Sequence, residues 1–266
     1  MTDKEKLAKI EELQHEKGLD REDLELLKKL LKLRIDFKKQ IDIKRIPVEL
    51  GEKRLGEGEP LVRREEIAID VGQFVRHWRD VERVFGGQGL FANATPNPEQ
   101  FFQEYIDGRA GLLDLIGGHG ETGAILHYVL LEVLKPIYET HAEACRQQPD
   151  DATWVQPYCY VCGGSPDMAM LSGDGGKRYL CCRLCDTSWW YAKLKCPHCG
   201  NEDLEKLVSL ALSNEPSYMI HGCQACNRYI KVVDGRVRDG ALFMELEDLL
   251  TSHLDVVARN EGFRPY

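Results

Sequence analysis

The sequence predicts an α+β chain: an all-α N-terminal domain, two small β modules that each close around a metal ion, and a C-terminal helix. Three observations carry this expectation. Apolar residues recur at helical spacing as far as about residue 146. At Gln147–Asp151 the polar run QQPDD reads as a linker, beyond which the apolar period drops to two and glycines mark hairpins. Eight of the ten cysteines fall into four C-x-x-C pairs between 159 and 226. The expected domains are residues 1–150, helical; 151–194 and 195–240, the two metal modules; and 241–266, the closing helix.

Residues 3–40 read as helices. Leu7, Ile10 and Leu13 share one face, and Asp20 is placed to cap a second helix that carries Leu24, Leu27, Leu30, Leu31 and Leu33. The interleaved Lys and Glu form an ordinary solvated face. Pro47–Pro60, with Gly51, Gly56 and Gly58, reads as a connector. Glu65–Phe85 reads as one helix, with Phe74, Val75, Trp78 and Val81 on its core side and Gly86, Gly87 and Gly89 ending it. Pro98 opens a short helix bearing Phe101, Phe102, Tyr105 and Ile106, and a glycine-rich stretch from Gly108 to Gly120 follows. Glu121–Arg146 carries the longest helical pattern, with Pro136 expected to kink or break it.

Beyond the linker, Met168–Ser172 and Arg178–Cys182 flank the loop Gly173-Asp174-Gly175-Gly176 as a hairpin, and Trp189–Leu194 continues as a strand. Leu204–Leu212, Tyr218–His221 and Arg228–Val233 read as strands of the second module, with a hairpin-type turn at Asp234-Gly235. Glu245–Arg259 is helical, with Leu246, Leu249, Leu250, Leu254, Val257 and Ala258 as its stripe.

Composition narrows the function. No run of about 18 apolar residues exists, so no membrane span is expected. The net charge is −9, and neither half is basic: residues 1–150 carry 23 basic and 29 acidic side chains, and 151–266 carry 12 and 15. A nucleic-acid surface needs a positive field, so no nucleic-acid partner is expected. No nucleophile–base set, phosphate-binding glycine loop or dinucleotide fingerprint appears, and an enzyme is not expected. His77, His119, His127 and His141 share no metal-binding spacing; His127 reads as a packed helix histidine, and His119 is the one best placed to touch a partner. Cys145 reads as a small buried hydrophobe.

The cysteine pairs are Cys159/Cys162, Cys182/Cys185, Cys196/Cys199 and Cys223/Cys226. A C-x-x-C turn places both sulfurs on one side of a tight loop, and the residue after the second Cys is drawn toward the left-handed conformation. Gly163, Asp186, Gly200 and Asn227 occupy that place, and all three residue types tolerate it. Two such knuckles facing each other make a tetrahedron of sulfurs suited to zinc or a single iron. A disulfide framework would need an oxidising compartment, and the opening MTDKEKLAKIEEL reads as no signal peptide, so a cytoplasmic location is expected. A redox C-x-x-C occurs once, beside a βαβ pattern, not four times among hairpins.

Both modules run knuckle, strand, turn, strand, knuckle, strand. This repeat pairs Cys159/Cys162 with Cys182/Cys185 across 19 residues, and Cys196/Cys199 with Cys223/Cys226 across 23. Pairing Cys182/Cys185 with Cys196/Cys199 would leave only ten residues between knuckles and break the symmetry. Cys181 is expected to be structural, and His198 and His221 to support the thiolates from outside the tetrahedra. A closed four-thiolate site leaves no coordination position for a substrate, so the metal either holds a small fold together or, as iron, moves an electron.

The stretches CYVCGGSPDMAML, KRYLCCRLCDTSWWYAKLKCPHCGNED, HGCQACNRYIKVVD and ELEDLLTSHLDVVARNEGFRP resemble the formate dehydrogenase accessory protein family (FdhE) over about 157–266. Two departures from the family pattern are Tyr160, where Pro is common, and Gly164, inserted before Ser165-Pro166. The resemblance implies a cytoplasmic, self-associating protein with a helical domain followed by two rubredoxin-like modules. It also implies a role in maturing formate dehydrogenase through contact with its catalytic subunit. The implied ligands are Cys159, Cys162, Cys182, Cys185, Cys196, Cys199, Cys223 and Cys226, holding two mononuclear ions, with iron favoured over zinc. The competing expectation is a zinc-ribbon protein that binds nucleic acid or a general protein complex, its metal purely structural.

Overall fold

The computed structural model describes all residues except 15–19, 44, 87–96, 109–120, 146–147, 214, 239 and 266, together with the side chains of 121–125. The described chain is α+β and separates into two compact units. One comprises Leu7–Pro47 and Val62–Arg146; the other comprises Met1–Lys6, Val48–Leu61 and Gln147–Tyr266.

The first unit is helical. Its elements are the greater part of α1 (Asp3–Leu13), then α2 (Arg21–Lys38), α4 (Val71–Val84), α5 (Pro98–Ile106) and α6 (Glu121–Ala144). Asp20 accepts from the Glu22 amide and starts α2, as its position foretold. Asp70 and Asn97 do the same for α4 and α5 through the amides of Gln73 and Gln100. The Asp70 cap corrects the expected start at Glu65: residues 64–66 form a single 3-10 turn, and Ile67 is extended. The helix α6 runs through Pro136 without interruption in its assignment.

The core joins Leu27, Leu30, Leu31 and Phe37 of α2 to Phe74, Trp78 and Val81 of α4, Phe101 and Phe102 of α5, and Val129, Val133 and Ile137 of α6. Buried charge crosses it: Arg34 lies 2.7 Å from Glu132 and 3.0 Å from Glu139. His77, 3% exposed, stacks on Phe37 with ring centroids 4.1 Å apart. Burial pushes its pKa down to about 4. His127 is half-buried in α6, His119 lies outside the described residues, and Cys145 is half-buried rather than buried.

The second unit is built on one six-stranded sheet of β1 (Pro166–Ser172), β2 (Lys177–Cys182), β3 (Ser188–Trp190), β4 (Leu207–Ala211), β5 (Tyr218–Cys223) and β6 (Arg228–Asp234). The order is β3-β2-β1-β6-β5-β4. Each module is an antiparallel three-stranded meander. The two join through a parallel pairing of β1 with β6, in register from Met168↔Lys231 to Leu171↔Asp234. The expected strand Trp189–Leu194 stops at Trp190, and the expected strand from Leu204 opens with a 3-10 turn and becomes β4 only at Leu207. At Asp234-Gly235 the chain turns, but the Gly235 amide donates to the Leu171 carbonyl (3.0 Å), and among the described residues no hairpin partner follows.

Two helices replace the single one expected at the C-terminus: α7 (Met244–Leu250) and α8 (Ser252–Asn260), parted at Thr251. The fully buried Thr251 turns its hydroxyl onto the Glu247 carbonyl (2.7 Å). From α8, Leu254 and Ala258 pack with Ile220, Tyr229 and Phe263. The buried Lys231 reaches Asp248 and Asp255 at 2.6 and 3.0 Å. Pro47–Pro60 is corrected from a connector to the helix α3 (Val48–Gly56), whose Arg54 and Leu55 are buried.

Candidate metal centres

The two four-cysteine clusters form where the spacing placed them. In one, the sulfurs of Cys159, Cys162, Cys182 and Cys185 all lie within 4.8 Å of one another; in the other, so do those of Cys196, Cys199, Cys223 and Cys226. Across the facing knuckles, Sγ···Sγ is 3.5 Å for Cys159/Cys185, 3.4 Å for Cys162/Cys182, 3.8 Å for Cys196/Cys226 and 3.7 Å for Cys199/Cys223. A tetrahedral ion with bonds of about 2.3 Å to sulfur needs edges of roughly 3.8 Å. The donor set and its spacing therefore fit a four-thiolate ion, and each group can hold one.

The backbone builds each knuckle in the same way. The Gly163 amide donates to the Cys159 carbonyl at 2.8 Å, Asp186 to Cys182 at 3.1 Å, and Gly200 to Cys196 at 3.0 Å. The residue after each second Cys is left-handed, with φ of 72° at Gly163, 61° at Asp186, 73° at Gly200 and 55° at Asn227. That conformation turns amides toward sulfur: Val161 and Gly164 donate to Cys159 and Cys162, Leu184 to Cys182, and His198 to Cys196, all at 3.3–3.4 Å. Such bonds spread the negative charge of a thiolate. Between the knuckles, the antiparallel hairpins carry the second pair back to the first: Cys182 ends β2, and Cys223 ends β5.

The clusters differ in setting. The first has three buried cysteines and one half-buried; the second has Cys196 and Cys223 buried, Cys226 half-buried and Cys199 exposed. Burial, with its own S–H donating to the sulfurs of Cys159 and Cys182, holds the Cys162 thiol well above the ordinary range. Burial likewise pushes Cys196 up to about 12. Four thiols packed this closely cannot all ionise alone, because like charges at contact repel. A cation supplies the missing compensation.

Elements the sequence did not connect to the first site surround it. The Leu61 amide donates to the Tyr160 carbonyl inside the knuckle (2.8 Å), and the Tyr158 hydroxyl donates to the Gly58 carbonyl (2.8 Å). Lys6 ion-pairs with Asp186 at 2.6 Å. No motif marks these residues, because their role depends on where residues 48–61 and the N-terminus fold back. Cys181 stands apart from the tetrahedron: burial pushes its thiol far up, and the Ser188 hydroxyl donates to its sulfur at 3.5 Å. His198 donates Nε2–H to the Tyr229 carbonyl at 3.0 Å, which orients the ring beside the second cluster. Burial pushes His221 down to about 3, and the cations Arg178 and Lys193 push it the same way.

Among the described residues, no helix is long and apolar enough to cross a membrane. No family model matches the chain. Over 221 residues it is 30% identical to a protein FdhE homolog of Aquifex aeolicus (strain VF5), covering 80% of this chain and 74% of that one. It is 34% identical over 112 residues to protein FdhE of Salmonella choleraesuis (strain SC-B67), a match that spans 41% of this chain and 35% of that protein. In structure it is similar to the crystal structure of the FdhE protein from Pseudomonas aeruginosa, with a TM-score of 0.61 and 20% identity over 99% of this chain and 91% of the other. That likeness speaks for the fold, and the two sequence matches speak for descent. The chain belongs to the FdhE family.

Proposed function

We propose that this chain is a cytoplasmic accessory protein that brings formate dehydrogenase to its active form by binding the catalytic subunit. In this reading it self-associates and is not itself an enzyme. The observation that carries it is the pair of closed four-cysteine clusters on a chain of the FdhE family. Cys159, Cys162, Cys182 and Cys185 hold one ion in the module 151–194, and Cys196, Cys199, Cys223 and Cys226 hold the other in 195–240.

Iron is the metal we assign, since four thiolates support an ion that gains and loses one electron without changing ligands; zinc in the same cage would be structural only. The amide–sulfur bonds favour the more negative, reduced state, and the greater exposure of the second cluster makes it the one a partner can reach.

Two measurements test this reading. Protein purified without oxygen should carry two irons per chain and show thiolate-to-iron absorption that bleaches on reduction. Two zincs and no colour would end the redox part. The tagged chain should capture the formate dehydrogenase catalytic subunit from extract, and the Cys182→Ser/Cys185→Ser variant should lose it. Failure of the native chain to capture that subunit would end the accessory reading.

A further inference from the structure

A cleft of about 270 Å³ opens beside the second cluster, between the segment 193–198 and the strands β4 and β5. Its walls are of two kinds. Leu207, Val208 and Met219 supply apolar surface, while Arg178 and Lys193 supply positive charge, and among the described residues no carboxylate lines it. In a chain of net charge −9, this is an unusual concentration of cations.

Arg178 is the informative residue. It is 2% exposed, and among the described residues no carboxylate lies within ion-pair distance. Its Nη2 donates to the carbonyls of Ala192 and Lys195, both at 2.5 Å, and its guanidinium sits over the Tyr191 ring at 5.4 Å. Its Nε is buried and has no hydrogen-bond partner among the described residues. A buried guanidinium with an unmatched N–H is costly to maintain. Lys193 is exposed and also without an ion pair among the described residues, whereas its neighbour Lys195 is taken up by Glu202 at 2.9 Å. Arg178 and Lys193 act on one space, since both line this cleft.

We propose that this cleft binds a carboxylate carried on an apolar body, with the carboxylate between Arg178 and Lys193 and the apolar part against Leu207, Val208 and Met219. Two N–H sources match the two oxygens of a carboxylate, and the volume exceeds what a bare inorganic anion fills. The carboxylate has two sources: a free organic acid, or an acidic terminus of a peptide ending in apolar residues. The site stands whether or not the chain matures formate dehydrogenase.

The test is calorimetric titration of the metal-loaded full chain with three probes: hexanoate, acetyl-Leu-Leu with a free C-terminal carboxylate, and the same dipeptide as its amide. The acid forms should bind and the amide should bind at least tenfold more weakly. Tighter binding of the dipeptide acid than of hexanoate assigns a peptide terminus, and the reverse assigns a free acid. Lys193→Ala should weaken the better probe about tenfold with metal content unchanged, and Met219→Trp should block it by filling the apolar wall. Neither variant disturbs the backbone bonds of Arg178, so neither should unfold the module. Equal binding of acid and amide overturns the proposal. So does binding of no probe; if Lys193→Ala and Arg178→Met then loosened the metal of the second cluster, the cations would serve the thiolates alone.

Discussion

The ammonium of Lys6 lies 2.6 Å from the carboxylate of Asp186, the left-handed residue that closes the second knuckle of the first cluster. The lysine is almost wholly buried and also sits over the Phe243 ring at 5.0 Å. The start of the chain is thereby fastened to a metal knuckle 180 positions away. Asp186→Ala removes a partner of a buried cation and places a Cβ-bearing residue without a local hydrogen-bonding side chain at φ 61°. The expected loss is about 2–3 kcal/mol of unfolding free energy, read from urea midpoints of metal-loaded protein. Asp186→Asn tolerates the backbone and loses only the charge, so it should cost less. Equal stability of the alanine variant and the native chain would show that the pair contributes nothing.

Metal stoichiometry checks the partition of ligands. Cys162→Ser and Cys185→Ser should each lower the content from two ions per chain to one, and combining them should lower it no further. Combining Cys162→Ser with Cys223→Ser should bring it near zero. If the first double variant lost both ions, the pairing across each hairpin would be wrong.

Gly222 immediately precedes Cys223, and a Cβ there would sit 2.6 Å from Cζ of Phe263. The ring of Phe263 packs in that gap with Ile220, Tyr229 and Ala258. Gly222→Ala should destabilise the protein by about 1–3 kcal/mol through overpacking. Adding Phe263→Leu should recover part of it. An additive double variant, measured in the same urea series, would mean that the two positions do not meet.

Acid should weaken the helical unit through His77. Its folded pKa, about 4, lies below the unfolded value near 6.5, so the unfolded chain takes up a proton first as pH falls. The contribution is fully present above pH 6.5 and is lost progressively toward pH 4, by about 3 kcal/mol at most. His141 is shifted in the same direction by its own burial. His77→Gln should flatten the stability profile between pH 6.5 and 4 relative to the native chain. Comparing the two cancels any loss of metal in acid. Parallel profiles would remove His77 as the cause.

What the sequence disclosed follows from how local each signal is. The grouping of the eight cysteines into two sets of four was legible because a C-x-x-C turn, its left-handed closing residue and the hairpin between knuckles all lie within about 30 residues. Asp20 was legible as a cap for the same reason. The pairing of Met168 with Lys231 was not, because nothing near either strand states which distant strand completes the sheet. The helix α3 was hidden by Gly51 and Gly56, which read as breakers; one is buried within the helix, and the other ends it. The early end of β3 was hidden because the carbonyls of Ala192 and Lys195 are taken by the Arg178 guanidinium instead of a neighbouring strand. The break at Thr251 rests on one buried hydroxyl, which no periodicity reveals.

The strand order β3-β2-β1-β6-β5-β4 sets the third strand of the second module against the first strand of the first, with the pair running parallel. The modules are thus related by a step along the sheet, as carriages are in a train, and not by a rotation that would exchange them. A rotation would have given both clusters equivalent neighbours in the sheet. A step gives each its own: one has an adjoining module on its β1 side, and the other has the open margin of β4. The two knuckle pairs therefore sit in different surroundings, one more enclosed and the other more open to contact.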